Sequence, residues 1–304
     1  MVPDILVTGT LPDEAQRVIV GGTFHDASTE PEAVPSCEVL MAWPSRVTAE
    51  LLKSAGSLKM IQSFSAGVDA LPTGAVPRGV LVCSNAGAYT GPVAEHAWGM
   101  LLGLSKGLHE RNRRTTPRRL AGKTLLIVGA GAIGSEVARL SGSLKMKTVG
   151  VSRSFKHSGD FSEMVSPEDL KKVVGEADAI VMALPLNRET RGMVGYDVLS
   201  MCKPDVMVVN VGRGETVVEE GLTKWLKERP ESRYATDVFW KKGGKEVFDT
   251  KGWDHQNFAG TLHVSGVPLG DTLAVPYRMA AENVKKFLDT GAPMNVVDLA
   301  EYGS

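Results

Sequence analysis

This chain of 304 residues predicts an α/β fold: a Rossmann doubly wound parallel sheet, preceded by a smaller flavodoxin-like α/β domain. Three observations carry the expectation. Short apolar, partly β-branched runs recur along the chain and alternate with helical patterns, as strands buried on both faces do. One of them, Thr124–Val128, runs straight into Gly129, Gly131 and Gly134, which have G-x-G-x-x-G spacing, and a helical pattern follows over 135–144. A long stretch with its own strand–helix rhythm comes before that triplet, so the glycine turn does not open the fold.

In chain order, Ile5–Val7, Val39–Met41, Met60–Ile61 and Val80–Val82 read as strand cores, with helices over Asp13–Val20 and Thr48–Ser54. The loop Ser63–Asp69 follows a strand and carries Gly67, so the backbone N–H groups of Ala66, Gly67 and Val68 suit an anionic ligand; an ordinary turn is the alternative. Pro92–Leu104 reads as an apolar helix with proline in its first turn, suited to crossing between domains or to a subunit interface. Glu95 and His96 inside it point in different directions as helical neighbours, which favours structural roles.

At the triplet, Gly129 permits a tight turn and Gly131 lets a pyrophosphate approach the backbone. Gly134 lets the helix pack on its strand, while Ala132 and Ile133 open that helix with unpaired N–H groups. Lys147–Val151 reads as the next strand and is followed by Ser152, Arg153 and Ser154. An NAD-selective protein usually has an acidic residue there. An arginine between hydroxyls instead offers a 2′-phosphate charge-assisted hydrogen bonds, which predicts NADP(H) over NAD(H). Later strands are expected at Ala179–Met182, Val206–Asn210, Tyr234–Thr236 and Thr261–Val264, with a final helix over Thr272–Asp289. Ligands in such sheets sit beyond the carboxyl ends of strands. That directs the search for chemistry to Leu184, Pro185, Val211, Arg213, Asp237 and His263.

Hydrophobic residues make up 43% and charged residues 23%, with a net charge of −1, the balance of a soluble globular protein. The one basic block, Arg111–Arg119, reads as a solvated linker, so neither nucleic acid nor membrane is expected as a partner. No uncharged apolar run approaches a membrane span, and no signal peptide is expected, which makes a cytoplasmic enzyme the default. Cys37, Cys83 and Cys202 lack metal-ligand spacing, so no metal is expected.

Taken in order, Ala66-Gly-Val-Asp69, Asn85, Val93-Ala-Glu-His96, Gly129–Gly134, Leu184-Pro-Leu186, Thr190, Asn210-Val-Gly-Arg-Gly214, Asp237-Val-Phe239 and His263 resemble the D-isomer-specific 2-hydroxyacid dehydrogenase family over nearly the whole chain. The resemblance implies a discontinuous substrate-binding domain, residues 1–91 with 270–304, around a dinucleotide-binding domain, 92–269. It also implies a homodimer built around the Val93 helix. The implied reaction reduces a small 2-keto acid, such as hydroxypyruvate or glyoxylate, to the D-2-hydroxy acid with hydride from NADPH. Arg213 and His263 match the catalytic arginine and histidine, Asp237 falls near the nicotinamide, and Thr90 falls at its carboxamide. Arg213 with Ala66, Gly67 and Val68 would bind the substrate.

One position departs from the family pattern. The family glutamate, five residues after the aspartate of the Asp-Val-Phe segment, is replaced here by Lys242. Without that carboxylate His263 is expected to titrate lower, unless the loop of Lys241–Lys245 brings Glu246 back. Two other readings follow from the departure and the scaffold: a catalytically idle NADP-binding regulator or scaffold, and a formate- or phosphonate-type dehydrogenase. Met41, Trp43, Trp240 and Tyr277 are candidates for lining a substrate pocket, with plain packing equally open.

Overall fold

Parallel strands that are apolar on both faces need helices on both sides, and the chain meets that requirement twice. The computed structural model describes residues 3–110, 116–266 and 274–302. It divides into Met1–Tyr89 with Pro268–Ser304 as one unit and Thr90–Val267 as the other.

In the first unit, β1 (Asp4–Val7), β2 (Thr23–Asp26), β3 (Val39–Ala42), β4 (Met60–Ser63) and β5 (Leu81–Cys83) form a parallel sheet in the order β2-β1-β3-β4-β5. This is the flavodoxin-like order. Alternation along the strands feeds two cores. Ile5, Val39, Met41 and Met60 pack with Ala280, Ala281 and Val284 of the last helix, α8 (Ala274–Thr290), whereas Leu6, Leu40 and Ile61 pack with Leu52 on the other face. Leu52 belongs to α2 (Ala49–Ser54), whose first turn is capped by Thr48 Oγ1 accepting from the Leu51 N–H at 3.1 Å. The first helix, α1 (Asp13–Gln16), stops short of the expected Val20, and the chain turns at Gly21, where φ is +79°. Strand β2, Thr-Phe-His-Asp, was not expected; as an edge strand it lacks the apolar signature of its neighbours.

In the second unit, β6 (Thr124–Val128), β7 (Lys147–Val151), β8 (Glu163–Val165), β9 (Ala179–Met182), β10 (Met207–Asn210), β11 (Arg233–Thr236) and β14 (Phe258–Gly260) form a parallel sheet ordered β14-β11-β10-β9-β6-β7-β8. The order reverses on either side of β6, as in a Rossmann sheet. Helices α3 (Thr90–Lys106), α4 (Ala132–Ser141), α5 (Leu170–Val173), α6 (Tyr196–Leu199) and α7 (Glu219–Glu228) connect and flank it. The expected all-round apolar helix is in fact one-sided. α3 buries Val93, Ala94, Ala97, Trp98, Leu101 and Leu104, and exposes Glu95, Gly99, Leu102 and Lys106. Trp98 Nε1 donates to the Val137 carbonyl at 3.1 Å and so ties α3 to α4.

Two further expectations are corrected. The strand placed at Thr261–Val264 lies three residues earlier, because the N–H of His263 is taken by the Asp237 carbonyl and that of Val264 by the Asp237 carboxylate. Arg118 is no solvated linker charge: its guanidinium donates to the carbonyls of Asp205 (2.5 Å) and Glu231 (2.6 Å). Residues 111–115 of that basic block lie outside the described residues. Among the described residues no helix is long and apolar enough to cross a membrane, and no group of His, Cys, Asp or Glu forms a metal site.

Candidate active site

The loops at the carboxyl ends of β6, β9 and β10 are packed backbone to backbone. Gly129 has φ +103°, and a Cβ built there would lie 2.7 Å from the Ala183 carbonyl oxygen. From the other side, a Cβ on Gly212 would meet the Leu184 carbonyl oxygen at 2.5 Å. Glycine is therefore required on both flanks of Ala183–Leu184. Gly134 abuts the Gly129 carbonyl, which holds α4 against β6.

Gly131 is different. Its φ of −87° suits any residue, and a Cβ there would face open space. Among the described residues no packing accounts for this glycine, whereas a dinucleotide pyrophosphate lying against the turn does. No side chain caps α4, so the N–H groups at Ala132 and Ile133 remain in keeping with an anion there. Thr90 Oγ1 is likewise buried, with no hydrogen-bond partner among the described residues. These features fit a nicotinamide dinucleotide. The side chains of Leu184 and Val211 are buried, and Pro185 contributes its carbonyl to the Thr190 hydroxyl at 2.6 Å. Past β7, Ser152 Oγ accepts from the Ser154 N–H at 3.3 Å, and Arg153 pairs with Glu189 at 2.9 Å.

Past β10, Asn210 Oδ1 accepts from the Gly212 N–H (3.0 Å) and its Nδ2 donates to the Arg213 carbonyl (3.0 Å). Thr216 Oγ1 donates to the same carbonyl at 2.7 Å. Arg213 is thus held by its backbone, with a half-buried side chain. Gly214 packs on the backbone of Phe239, where any Cβ would collide. The Phe239 N–H in turn donates to Glu246 Oε1 at 2.6 Å, and Glu246 Oε2 lies 2.5 Å from His263 Nδ1. A continuous line of contacts therefore joins the Arg213 segment to the imidazole.

Glu246 arrives on a hairpin, β12 (Lys241–Lys242) and β13 (Lys245–Glu246), turned by Gly243 and Gly244 at φ +61° and +79°. Lys241 pairs with Glu246 and Lys242 with Lys245, and the Lys242 ammonium lies 3.8 Å from the Glu219 carboxylate. Of the two possibilities that the sequence leaves open, the structure has the hairpin bringing Glu246 to His263. A sequence signal was present: two adjacent glycines between lysines form a hairpin turn, which moves the next inward position past Lys242.

His263 sits at φ +53°, a left-handed conformation costing a non-glycine residue about 1–2 kcal/mol. Asp237 holds it there. Its carbonyl accepts from the His263 N–H at 2.8 Å, and its carboxylate accepts from Thr261 Oγ1 (2.6 Å) and the N–H groups of Val264 and Ser265 (2.9 Å each). Burial alone would raise this carboxyl, but the donors from Ser265, Thr261 and Val264 hold it below the usual range. Asp237, expected near the nicotinamide, is 0% exposed and engaged with these protein donors. His96, read as structural, reaches the same cluster: its Nε2 lies 2.8 Å from Thr261 Oγ1. Sequence offered no signal for that long-range contact.

In the first unit, Ser65 Oγ donates to the Gly67 carbonyl at 2.6 Å and Ser63 Oγ to the Ser65 carbonyl at 2.8 Å, shaping the loop of Ala66, Gly67 and Val68. Beside Phe64, Trp43 packs tilted and Tyr277 edge-on, with ring centroids 5.9 and 4.9 Å from it. Met41 is core, and Trp240 is buried with Nε1 donating to the Val217 carbonyl at 2.7 Å, so both are packed against protein.

The family model for the D-isomer specific 2-hydroxyacid dehydrogenase NAD binding domain matches residues 83–265, more than half of the chain. The chain belongs to that family. Among its relatives, a glyoxylate reductase of Thermococcus gammatolerans is 29% identical over 68% of each chain. A Pyrobaculum aerophilum structure with a provisional formate dehydrogenase name is 30% identical, with TM-score 0.87 over 99% of this chain and 100% of that one. A D-isomer specific 2-hydroxyacid dehydrogenase family protein from Aeromonas salmonicida is 27% identical, with TM-score 0.80 over 98% and 100%. As a D-2-hydroxyacid dehydrogenase the chain is an oxidoreductase with a nicotinamide cofactor, and members of the family act on small hydroxy and keto acids.

Proposed function

We propose that this dehydrogenase reduces a small 2-keto acid, of the glyoxylate or hydroxypyruvate kind, to the D-2-hydroxy acid, with NADPH favoured over NADH. The observation that carries the reading is the Glu246–His263 pair at 2.5 Å, linked through Phe239 and Gly214 to Arg213. A bound nicotinamide supplies the hydride. Arg213 presents a planar, bidentate donor to the substrate carboxylate and carbonyl, which lysine does not match. Ala66, Gly67 and Val68 are assigned as backbone donors to an anionic substrate. His263, its Nδ1 engaged by Glu246, delivers a proton from Nε2 to the developing alkoxide. Glu246 orients the ring and offsets the charge of the imidazolium.

Thr90, whose buried hydroxyl has no partner among the described residues, is assigned to the carboxamide, and the Gly129–Gly134 turn to the pyrophosphate. Ser152, Arg153 and Ser154 are assigned to the 2′-phosphate. The assembly is assigned as a cytoplasmic homodimer, formed on the face of α3 where Leu102 is exposed. The idle-regulator reading drew on a missing carboxylate, and Glu246 removes that support. Assaying a panel of 2-keto acids with NADPH and NADH tests the reading. Turnover of small 2-keto acids with NADPH supports it, and oxidation of formate alone replaces it.

A further inference from the structure

Arg153 and Glu189 meet across the strand that carries the glycine turn. In the sheet order β9-β6-β7, Arg153 emerges two residues past the end of β7 and Glu189 from the loop past β9, with β6 between them. All three strands are parallel, so all three loops leave the same edge of the sheet. Arg153 Nη1 and Glu189 Oε2 are 2.9 Å apart, spanning the carboxyl end of β6. The Glu189 backbone is held in place: its N–H and that of Thr190 donate to Asn187 Oδ1 at 3.1 and 2.9 Å. Both charged ends are about half exposed or more, 51% and 63%, so a ligand reaches the pair without unfolding anything.

We propose that Glu189 is a specificity-determining residue, a carboxylate that occupies Arg153 until a 2′-phosphate displaces it. The inference rests on the assignment of Arg153 to that phosphate. A 2′-phosphate replaces one anionic partner of the guanidinium with a stronger one that accepts several hydrogen bonds. A 2′-hydroxyl has no charge to offer, so with NADH the ion pair stays closed. Glu189 therefore works against NADPH in two ways: the pair must open, and its freed carboxylate then faces the phosphate. Neither effect touches NADH. The residue moderates a preference that Arg153 creates.

Dissociation constants of NADPH and NADH, read by fluorescence titration or calorimetry on the full chain without substrate, test this directly. Glu189→Gln should tighten NADPH about threefold, the scale of an exposed ion pair, and leave NADH within about twofold. The NADPH gain should shrink at high salt, because the charges are exposed. Glu189→Arg should tighten NADPH further. Equal changes for both cofactors, no change for NADPH, or a loss of NADH affinity would each overturn the proposal, the last by showing Glu189 holding ribose hydroxyls. Arg153→Ala separates the two claims. If it weakens both cofactors equally the phosphate assignment fails, whereas a selective loss of NADPH beside a neutral Glu189→Gln sinks the displacement alone.

Discussion

Glu246 Oε2 lies 2.5 Å from His263 Nδ1, and the other oxygen of that carboxylate is held by the Phe239 N–H. The pair is built from a two-stranded hairpin and a strained turn, and Glu246 stands four residues past Lys242, where the resemblance puts the carboxylate. Glu246→Gln should lower turnover on the order of 10-fold or more while leaving NADPH affinity unchanged. Adding Lys242→Glu to that variant should not restore activity, because position 242 points toward Glu219. Recovery in the double variant would show that the hairpin register is not what sets the carboxylate.

The carbonyl of Arg213 is fixed by hydrogen bonds from Asn210 and Thr216, and its Nη1 donates to the Gly212 carbonyl at 2.8 Å, so replacing the side chain should leave the backbone anchors of the loop in place. Arg213→Lys keeps the charge and loses the planar fork. Turnover on glyoxylate or hydroxypyruvate should fall on the order of 100-fold, with an unchanged melting temperature. Steady-state kinetics beside a thermal melt checks both halves.

Much of this was legible in the chain itself. The run of Leu125–Val128 into Gly129, Gly131 and Gly134 announces a buried strand and a nucleotide turn, and Arg213 between two glycines just past a strand announces a ligand-facing loop. What stayed hidden depends on contacts between residues far apart in sequence. His96 meets Thr261 across 165 positions, and Thr-Leu-His-Val looks like a strand until Asp237 takes its N–H groups. The edge strand β2, half polar, lacks the pattern by which buried strands are recognised.

Asp237→Asn should cost stability, since an amide cannot accept at both ends from Thr261, Val264 and Ser265. One unsatisfied buried donor costs about 1–3 kcal/mol. The folded carboxyl is held below its ordinary value, so its contribution is present above the usual carboxylate range and is lost as pH falls through the depressed value. The stability gap between parent and variant, from denaturant unfolding, should be widest near neutrality and close in strong acid.

The ring nitrogens of His109, just past the end of α3, are buried with no hydrogen bond among the described residues, and burial, aided by Arg233, lowers its pKa against the pull of Glu110. The folded protein keeps the ring neutral while the unfolded chain takes up a proton, so this residue costs stability as pH falls below about 6.5. His25, raised chiefly by its hydrogen bond to Glu30, acts in the opposite sense. His109→Leu should raise the melting temperature relative to the parent more at about pH 5.5 than at about pH 8. A pH-independent difference would contradict the assignment.

NADPH absorbance followed after adding glyoxylate or hydroxypyruvate to the parent protein and to His263→Gln, side by side, bears most directly on the reductase assignment. The account predicts turnover by the parent and a loss on the order of 100-fold or more in the variant, with NADPH still bound. Equal rates in the two proteins, or no NADPH consumption by the parent with any 2-keto acid, would contradict it.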